Sequence, residues 1–388
     1  MSRPKLTILA TVGNYLPGYK AGGQLRTVCN MVNVLGDEFD FRIVTSDRDL
    51  GDLKPYDGIV ADTWLRVGKA LVYYVSSRRR GLSHIAHILN STPHDVLYLN
   101  SFFSPLFTIK PLLAMRFGLA RRTPTVIASR GEFSSGAIAL KSRKKLAYLR
   151  FYNSFLHKNP VLFHATSPFE VDDINSFIRK RHETFVAQDV VSMQEMPAQG
   201  LAASDAGGLR ACFISRVSPM KNLCFALEVL LKVKEAVSFD IYGPIEDGDY
   251  WGECTKAIEQ LPSNVRANYC GQLSHDMVVS TFAHYDLFLF PTRGENFGHV
   301  VVESLLAGTS VLISNQTPWK DFERDGVGWV LPLDDPATWA RRIDEFACVS
   351  PDERFIKRNA ARKFAESVCL DPNVINANRE LFVRAAAM

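Results

Sequence analysis

Short apolar runs alternate with amphipathic segments along this chain, break off once, and then resume. A strand buried on both faces needs a continuous apolar run, and a helix covering it needs one apolar stripe. The rhythm therefore dictates parallel α/β sheets with helices on both faces. In the first half the strand-forming runs are Lys5–Thr11, Phe41–Thr45, Asp95–Asn100, Thr125–Ser129 and Val161–Thr166, with helices expected over Gln24–Leu35 and Lys141–Leu156. The interruption, MPAQGLAASDAGG at 196–208, is poor in large apolar residues and reads as a linker. Beyond it, strands are expected at Arg210–Ser215, Phe239–Gly243, Asn268–Gly271, Leu287–Pro291 and Ser310–Ser314. Helices are expected over Asn222–Lys234, with Asn222 as cap, and over Trp251–Gln260, His275–His284 and Asn296–Ala307. Three more helical patterns follow, Asp335–Phe346, Asp352–Glu366 and Asn373–Ala387. A chain of 388 residues also exceeds the roughly 250–300 at which one core stops growing. The expected organisation is a doubly wound domain over 1–195, a linker over 196–208, a second doubly wound domain over 209–370 and a last helix over 371–388. Ligands of such sheets bind at the carboxyl ends of the strands.

Composition excludes several classes. No run approaches the ~18–20 apolar residues of a membrane-spanning helix. The opening apolar stretch ends at Gly13 without a small-residue cleavage site and reads as a strand, not a signal peptide. Seven cysteines with no CxxC spacing fit scattered reduced thiols, and a cytoplasmic enzyme is expected. Residues 1–195 carry 26 Lys+Arg against 16 Asp+Glu, and the remainder 19 against 25. The basic excess is clustered at Arg78–Arg80, at Arg116, Arg121 and Arg122, and at Lys141, Arg143–Lys145 and Arg150. Such clusters suit an anionic membrane surface or a lipid pyrophosphate, and equally a solvated helix face. They lack the interleaved aromatic platforms of a nucleic-acid binder.

The most informative segment is Pro291–Ser314, PTRGENFGHVVVESLLAGTSVLIS. A strand leads through Arg293, Gly294, Glu295 and Asn296 to a helix opening near Phe297 and Gly298. The first-turn amides of that helix lack internal partners and carry the positive end of its dipole, so they attract an anion. Glu295 and Glu303 bracket the point, eight residues or about 12 Å apart on a helix. That exceeds the ~5–9.5 Å of paired glycosidase carboxylates. It matches a nucleotide sugar lying along the helix, though each glutamate alone reads as well as a cap-region or helix residue. FISRVSPMKNL then places Arg216 just past a strand and Lys221 five residues on. An isolated Arg/Lys pair is usually surface decoration, but two cations one strand away from that helix can neutralise a leaving diphosphate.

Together these motifs resemble the nucleotide-binding half of the retaining family-four glycosyltransferases of GT-B fold. The resemblance, which is to polysaccharide- and lipopolysaccharide-building members, implies two facing Rossmann-like domains with a cleft between them. It implies that Arg216 and Lys221 bind the donor diphosphate, that Glu303 holds the ribose and that Glu295 touches the transferred sugar. Asn296, Phe297 and Gly298 would lend backbone amides, and Gly22 and Gly23 would form a donor-facing loop. Arg130 and Glu132, in ASRGEFS, resemble an Arg-Gly-acid stretch that contacts acceptor or sugar, with a structural ion pair as the competing reading. Where many relatives carry a histidine after the fourth strand, this chain has Asn100 and Ser101, so Asn100 stands in as an acceptor contact. His164 reads as a core histidine, His84 and His87 as ordinary residues without a nearby carboxylate, and His299 as a neighbour of the donor.

No Asp-x-Asp stands in a suitable loop, so no metal and no other cofactor is expected. The implied reaction is hexosyl transfer from a UDP- or GDP-sugar to a carbohydrate or lipid-linked acceptor, at the inner face of the cytoplasmic membrane. A nucleotide-sugar epimerase of the same fold and a non-catalytic nucleotide-sugar binder are the competing readings.

Overall fold

The computed structural model of the protein describes residues 5–134, 137–138, 142–156, 161–179, 182–193 and 208–388. Residues 196–207 of the expected linker, and Lys141, lie outside these. The chain divides into one unit of Met1–Ser192 with Asp371–Met388, and a second of Met193–Leu370.

The first unit is built on strands β1 (Thr7–Thr11), β2 (Asp40–Ser46), β3 (Trp64–Val67), β4 (Ala70–Val75), β5 (Val96–Asn100), β6 (Thr125–Ala128), β7 (Val161–Ala165) and β8 (Glu183–Val186). They lie in the order β3-β4-β2-β1-β5-β6-β7-β8. All pairings are parallel except β3 with β4. Helices α1 (Gly23–Leu35), α2 (Leu82–Ser91), α3 (Lys110–Arg116), α4 (Ser142–Phe151) and α5 (Pro168–Phe177) connect them. Alternate residues of each inner strand enter opposite cores. Ile8, Ala10, Val96 and Tyr98 join α1 side chains on one face, while Leu9, Leu97 and Leu99 join those of α2 and α3 on the other. Burial on both faces is the reason these strands read as unbroken apolar runs.

The second unit has β9 (Leu209–Ile214), β10 (Val237–Tyr242), β11 (Val265–Tyr269), β12 (Leu287–Phe290), β13 (Ser310–Ser314) and β14 (Gly328–Leu331). Their order is β11-β10-β9-β12-β13-β14, with every pairing parallel. Its helices are α6 (Leu223–Leu230), α7 (Gly248–Ile258), α8 (His275–Phe282), α9 (His299–Leu306), α10 (Pro336–Ala347) and α11 (Pro351–Cys369). The last helix, α12 (Pro372–Ala386), belongs to the first unit and places Leu381, Phe382 and Ala385 in its core. The Phe382 ring meets Phe39, Phe41 and Tyr98 with centroids 5.5, 5.8 and 5.6 Å apart, and Arg379 grips Glu38.

Strand order reverses direction once in each sheet, between β1 and β5 and between β9 and β12. Loops leaving the carboxyl ends of those strands diverge there and open the crevice in which doubly wound sheets bind ligands.

Candidate functional site

In the second unit the loops after β9 and β12 carry the expected residues, and backbone hydrogen bonds lace them together. Arg293 N–H donates to the Met220 carbonyl at 2.9 Å, and Glu295 N–H to that of Gln316 at 3.1 Å. The loop after β10 joins them, with Val217 N–H donating to Pro244 O at 2.9 Å and Glu246 N–H to Val217 O at 3.2 Å. Gly243 makes this approach possible. Its φ is +136° and a Cβ there would stand 1.9 Å from Ser215 O, so a side chain would push the β9 and β10 loops apart. Sequence reading missed this third loop; a glycine and proline directly after a strand were its only signal.

Arg216 pairs with Glu246 and is 37% exposed. Lys221 pairs with Glu295, and these two side chains are only 11% and 13% exposed. The Lys221 ammonium also lies 5.5 Å from the Phe290 ring centroid. Asn222 occupies the cap position of α6, but in the left-handed conformation, and its amide donates 3.0 Å to Pro291 O instead of capping the helix. It thereby ties the Lys221 loop to the end of β12.

The helix expected from Asn296 begins later, at His299, because Gly298 turns left-handed with φ 81° and starts it. Glu295 is thus a loop residue, and the helical rise applies only from His299 to Glu303. No side chain caps α9 and its first turn holds no acid, so its amides present their dipole to the crevice. Phe297 is buried, its carbonyl accepting from Trp319 Nε1 at 2.6 Å. Glu303 and His299 are buried on α9. Arg216, Lys221, Glu295, Asn296, Gly298 and Glu303 therefore share one edge of one sheet.

In the first unit Gly22 caps α1 with φ 63° and Gly23 begins it; a Cβ at either would meet nothing within 4 Å. The loop before them is anchored by Asp49, which accepts the Tyr19 and Lys20 amides at 2.8 and 3.1 Å. Beyond the strand ends lies a pocket of about 450 Å³ lined by Asn14, Arg48, Asp49, Arg80 and Lys110 among others. Of these, only Arg80 stands out in the sequence, as part of the basic cluster Arg78–Arg80.

The three expected acceptor contacts have internal partners. Arg130 is buried in a left-handed turn (φ 52°) and donates to Asp189, to the Tyr98 hydroxyl and, at 2.8 Å, to Asn100 Oδ1. Glu132 accepts the amides of Phe102 and Phe103 at 2.6 and 3.2 Å and the Ser101 hydroxyl at 2.8 Å. Burial pushes its carboxyl above the usual range. His164 is fully buried between the Tyr98 hydroxyl and the Ala187 carbonyl, at 3.0 and 2.7 Å. Burial, with the Arg130 charge, pushes it down to about 4, so it is neutral near pH 7 and serves as a core histidine. One expectation needs correcting: His84 does have a carboxylate neighbour, Asp62, 4.0 Å from Nε2. Among the described residues no group of three His, Cys, Asp or Glu is placed to hold a metal ion, and no helix is long and apolar enough to cross a membrane.

Residues 203–363 match the model of the family "Glycosyl transferases group 1". The D-inositol 3-phosphate glycosyltransferase of Mycobacterium tuberculosis (strain H37Rv) is 27% identical over 157 residues, 39% of this chain. The match spans 33%, about a third, of that relative's length. Among solved structures, Anabaena HepE in complex with UDP-glucose superposes with a TM-score of 0.69 at 18% identity, covering 99% of this chain and 100% of that one. WaaG, a glycosyltransferase involved in lipopolysaccharide biosynthesis, gives 0.63 at 13% identity, covering 97% and 99%. The chain therefore has the GT-B type of α/β fold, built from two Rossmann-like units.

Proposed function

We propose that the protein is a retaining, metal-independent glycosyltransferase that moves a hexosyl group from a UDP- or GDP-sugar to a carbohydrate or lipid-linked acceptor. The observation that carries this reading is the pairing of Lys221 with Glu295 beside the uncapped start of α9, with Arg216 on the adjoining loop. The match of residues 203–363 to a glycosyltransferase model, and a UDP-glucose complex among similar folds, support it. Both cations are held by carboxylates. An entering diphosphate exchanges partners with them: its oxygens take the Lys221 ammonium and the Arg216 guanidinium, which releases Glu295 toward the sugar hydroxyls. Glu303 holds the ribose, the amides near Phe297 and Gly298 complete the anion site, and Gly22 and Gly23 offer open backbone to an anion. As the anomeric C–O bond breaks, negative charge gathers on the leaving phosphate. Two cations and a helix dipole stabilise that charge most in the transition state. The leaving phosphate oxygen takes the proton of the attacking hydroxyl on the same face, so configuration is retained without a separate base.

The test is calorimetric titration with UDP and GDP in the presence of EDTA. UDP is expected to bind, and Arg216→Ala to weaken it by about tenfold, one charge-assisted contact to an exposed group. No nucleotide binding with EDTA present, restored by a divalent cation, would refute metal independence. No binding under either condition would refute the site.

Peripheral membrane attachment, and with it a lipid-linked acceptor for surface polysaccharide, has its own support. Phe117, Leu119, Leu146 and Phe151 are 57%, 49%, 43% and 41% exposed. Phe155 draws Arg116, Phe117 and Phe151 together at 4.4, 5.8 and 5.3 Å. Arg121, Arg122, Arg143, Lys144 and Arg150 are exposed nearby in sequence, and the one acid between 110 and 150 is Glu132, which is internally bonded. Aromatic anchors among arginines suit an anionic bilayer, each cation contributing ~1 kcal/mol. Sedimentation with phosphatidylglycerol vesicles is expected to capture the protein at low salt, and Phe117→Ser with Phe151→Ser to weaken capture about tenfold. Capture unaffected by salt and by these changes would sink the membrane reading.

A further inference from the structure

The seven cysteines are dispersed in sequence, yet the fold brings two of them together. Cys224, second residue of α6, lies with its Sγ 3.3 Å from that of Cys254 in the middle of α7. Tyr250, one turn before Cys254, accepts the Cys224 amide at 2.9 Å, which seats the start of α6 on the same face of α7. Cys254 is fully buried, whereas Cys224 is half-buried and open to a small reagent. The remaining cysteines have no such sulfur neighbour among the described residues.

We propose that Cys224 and Cys254 form a reversible thiol–disulfide site, oxidised by small-molecule disulfides such as oxidised glutathione, whose state tunes how the adjoining Lys221 loop holds a nucleotide diphosphate. The second half of this statement rests on the transferase reading above; the first does not.

The chemistry balances as two exchanges. Cys224 thiolate attacks one sulfur of oxidised glutathione, its S–S bond breaks, and one glutathione leaves. Cys254 thiolate then attacks the Cys224 sulfur, the mixed S–S bond breaks, and the second glutathione leaves. The protein loses two protons and two electrons, and one disulfide is reduced to two thiols. Three features favour Cys224 as first nucleophile. It shares a hydrogen bond with the Cys254 thiol, it stands at a helix N-terminus, and the Arg293 charge is near, opposed by that of Glu253. The Cys254 hydrogen bond is foremost in holding the Cys224 thiol below its ordinary range.

A disulfide brings the two sulfurs to about 2.05 Å, drawing the first turn of α6 toward α7 by about an ångström. Lys221 lies one turn upstream on the same backbone, held by its amide to Ser218 O at 3.0 Å and through Asn222 to Pro291. The pull is transmitted to its ammonium.

The experiment equilibrates the full chain in glutathione buffers of rising oxidised fraction, blocks remaining thiols with iodoacetamide, and maps peptides by mass. The Cys224 and Cys254 peptides are expected to become linked, with Cys254→Ser leaving Cys224 as a glutathione adduct and Cys224→Ser abolishing linkage. Oxidised protein is expected to bind UDP at least about threefold more weakly, a small misplacement of one charged contact, and dithiothreitol to restore the affinity. Absence of the link in the most oxidising buffer overturns the site. A link that leaves UDP affinity unchanged overturns the coupling to Lys221. Failure of the reduced protein to bind UDP overturns the transferase reading and leaves the thiol site to be judged on its peptides.

Discussion

Lys221→Ala is expected to lower kcat/KM for transfer from a UDP-sugar by about 10²–10³ while the protein stays folded. Two separate losses are combined in that change. The first is functional, since one of the two cations that the proposed mechanism sets against the leaving diphosphate disappears. The second is structural, because Glu295 loses the ammonium it faces at 13% side-chain exposure. Breaking a fully buried pair costs about 3–5 kcal/mol, and the residual solvation here reduces that to about 1–3. A second variant separates the two. Lys221→Ala with Glu295→Gln removes the stranded carboxylate and is expected to regain most of the stability without regaining UDP affinity. Thermal melts and UDP titrations on the same samples read both terms. If Lys221→Ala bound UDP as tightly as the parent, the ammonium would be a packing partner of Glu295 and nothing more.

That pair also illustrates what the sequence makes legible. Arg216, Lys221 and Glu295 could be picked out because each follows a strand that is apolar but for Arg210 near the start of β9, and helices cover both faces of β9 and β12. Their meeting at the reversal of strand order followed from the fold class. The pairing of Lys221 with Glu295 did not, since it spans 74 residues and depends on the path of two loops. The half-exposed strands β3, β8 and β14 are not among those expected from the sequence, and neither is β4, although it is buried along most of its length. Helix α9 starts three residues later than the Asn296 expected from the sequence, because the left-handed Gly298 sets its true start. Gly243 offers the same lesson in a loop. Its necessity lies in the Ser215 carbonyl on a neighbouring strand, which no local pattern records.

The Arg130 network is the extreme case, and it yields the second large expectation. Arg130→Ala is predicted to reduce the unfolding free energy by about 3–5 kcal/mol. The resemblance to a sugar-contacting Arg-Gly-acid stretch offers Arg130 as an acceptor contact. Its surroundings point elsewhere, with side-chain exposures of 3% for Arg130 and 2% for its partner Asp189. The guanidinium joins the ends of β5, β6 and the segment after β8, taking Tyr98, Asn100 and Asp189 together, while Thr27 of α1 donates to the other Asp189 oxygen at 2.9 Å. Deleting it leaves a carboxylate in a site with almost no water, the costly half of a broken buried pair. Removing both charges, as in Arg130→Met with Asp189→Asn, is expected to recover most of the loss, since apolar or neutral groups of similar shape fill such sites at little cost. Urea unfolding of the parent and the two variants separates the possibilities. Arg130→Ala that unfolds early and is rescued by the second change marks a residue that positions Asn100 and the β5 and β6 loops. Arg130→Ala that melts with the parent but loses its response to acceptor would instead mark a direct acceptor contact, and the buried network would then have to open when acceptor binds.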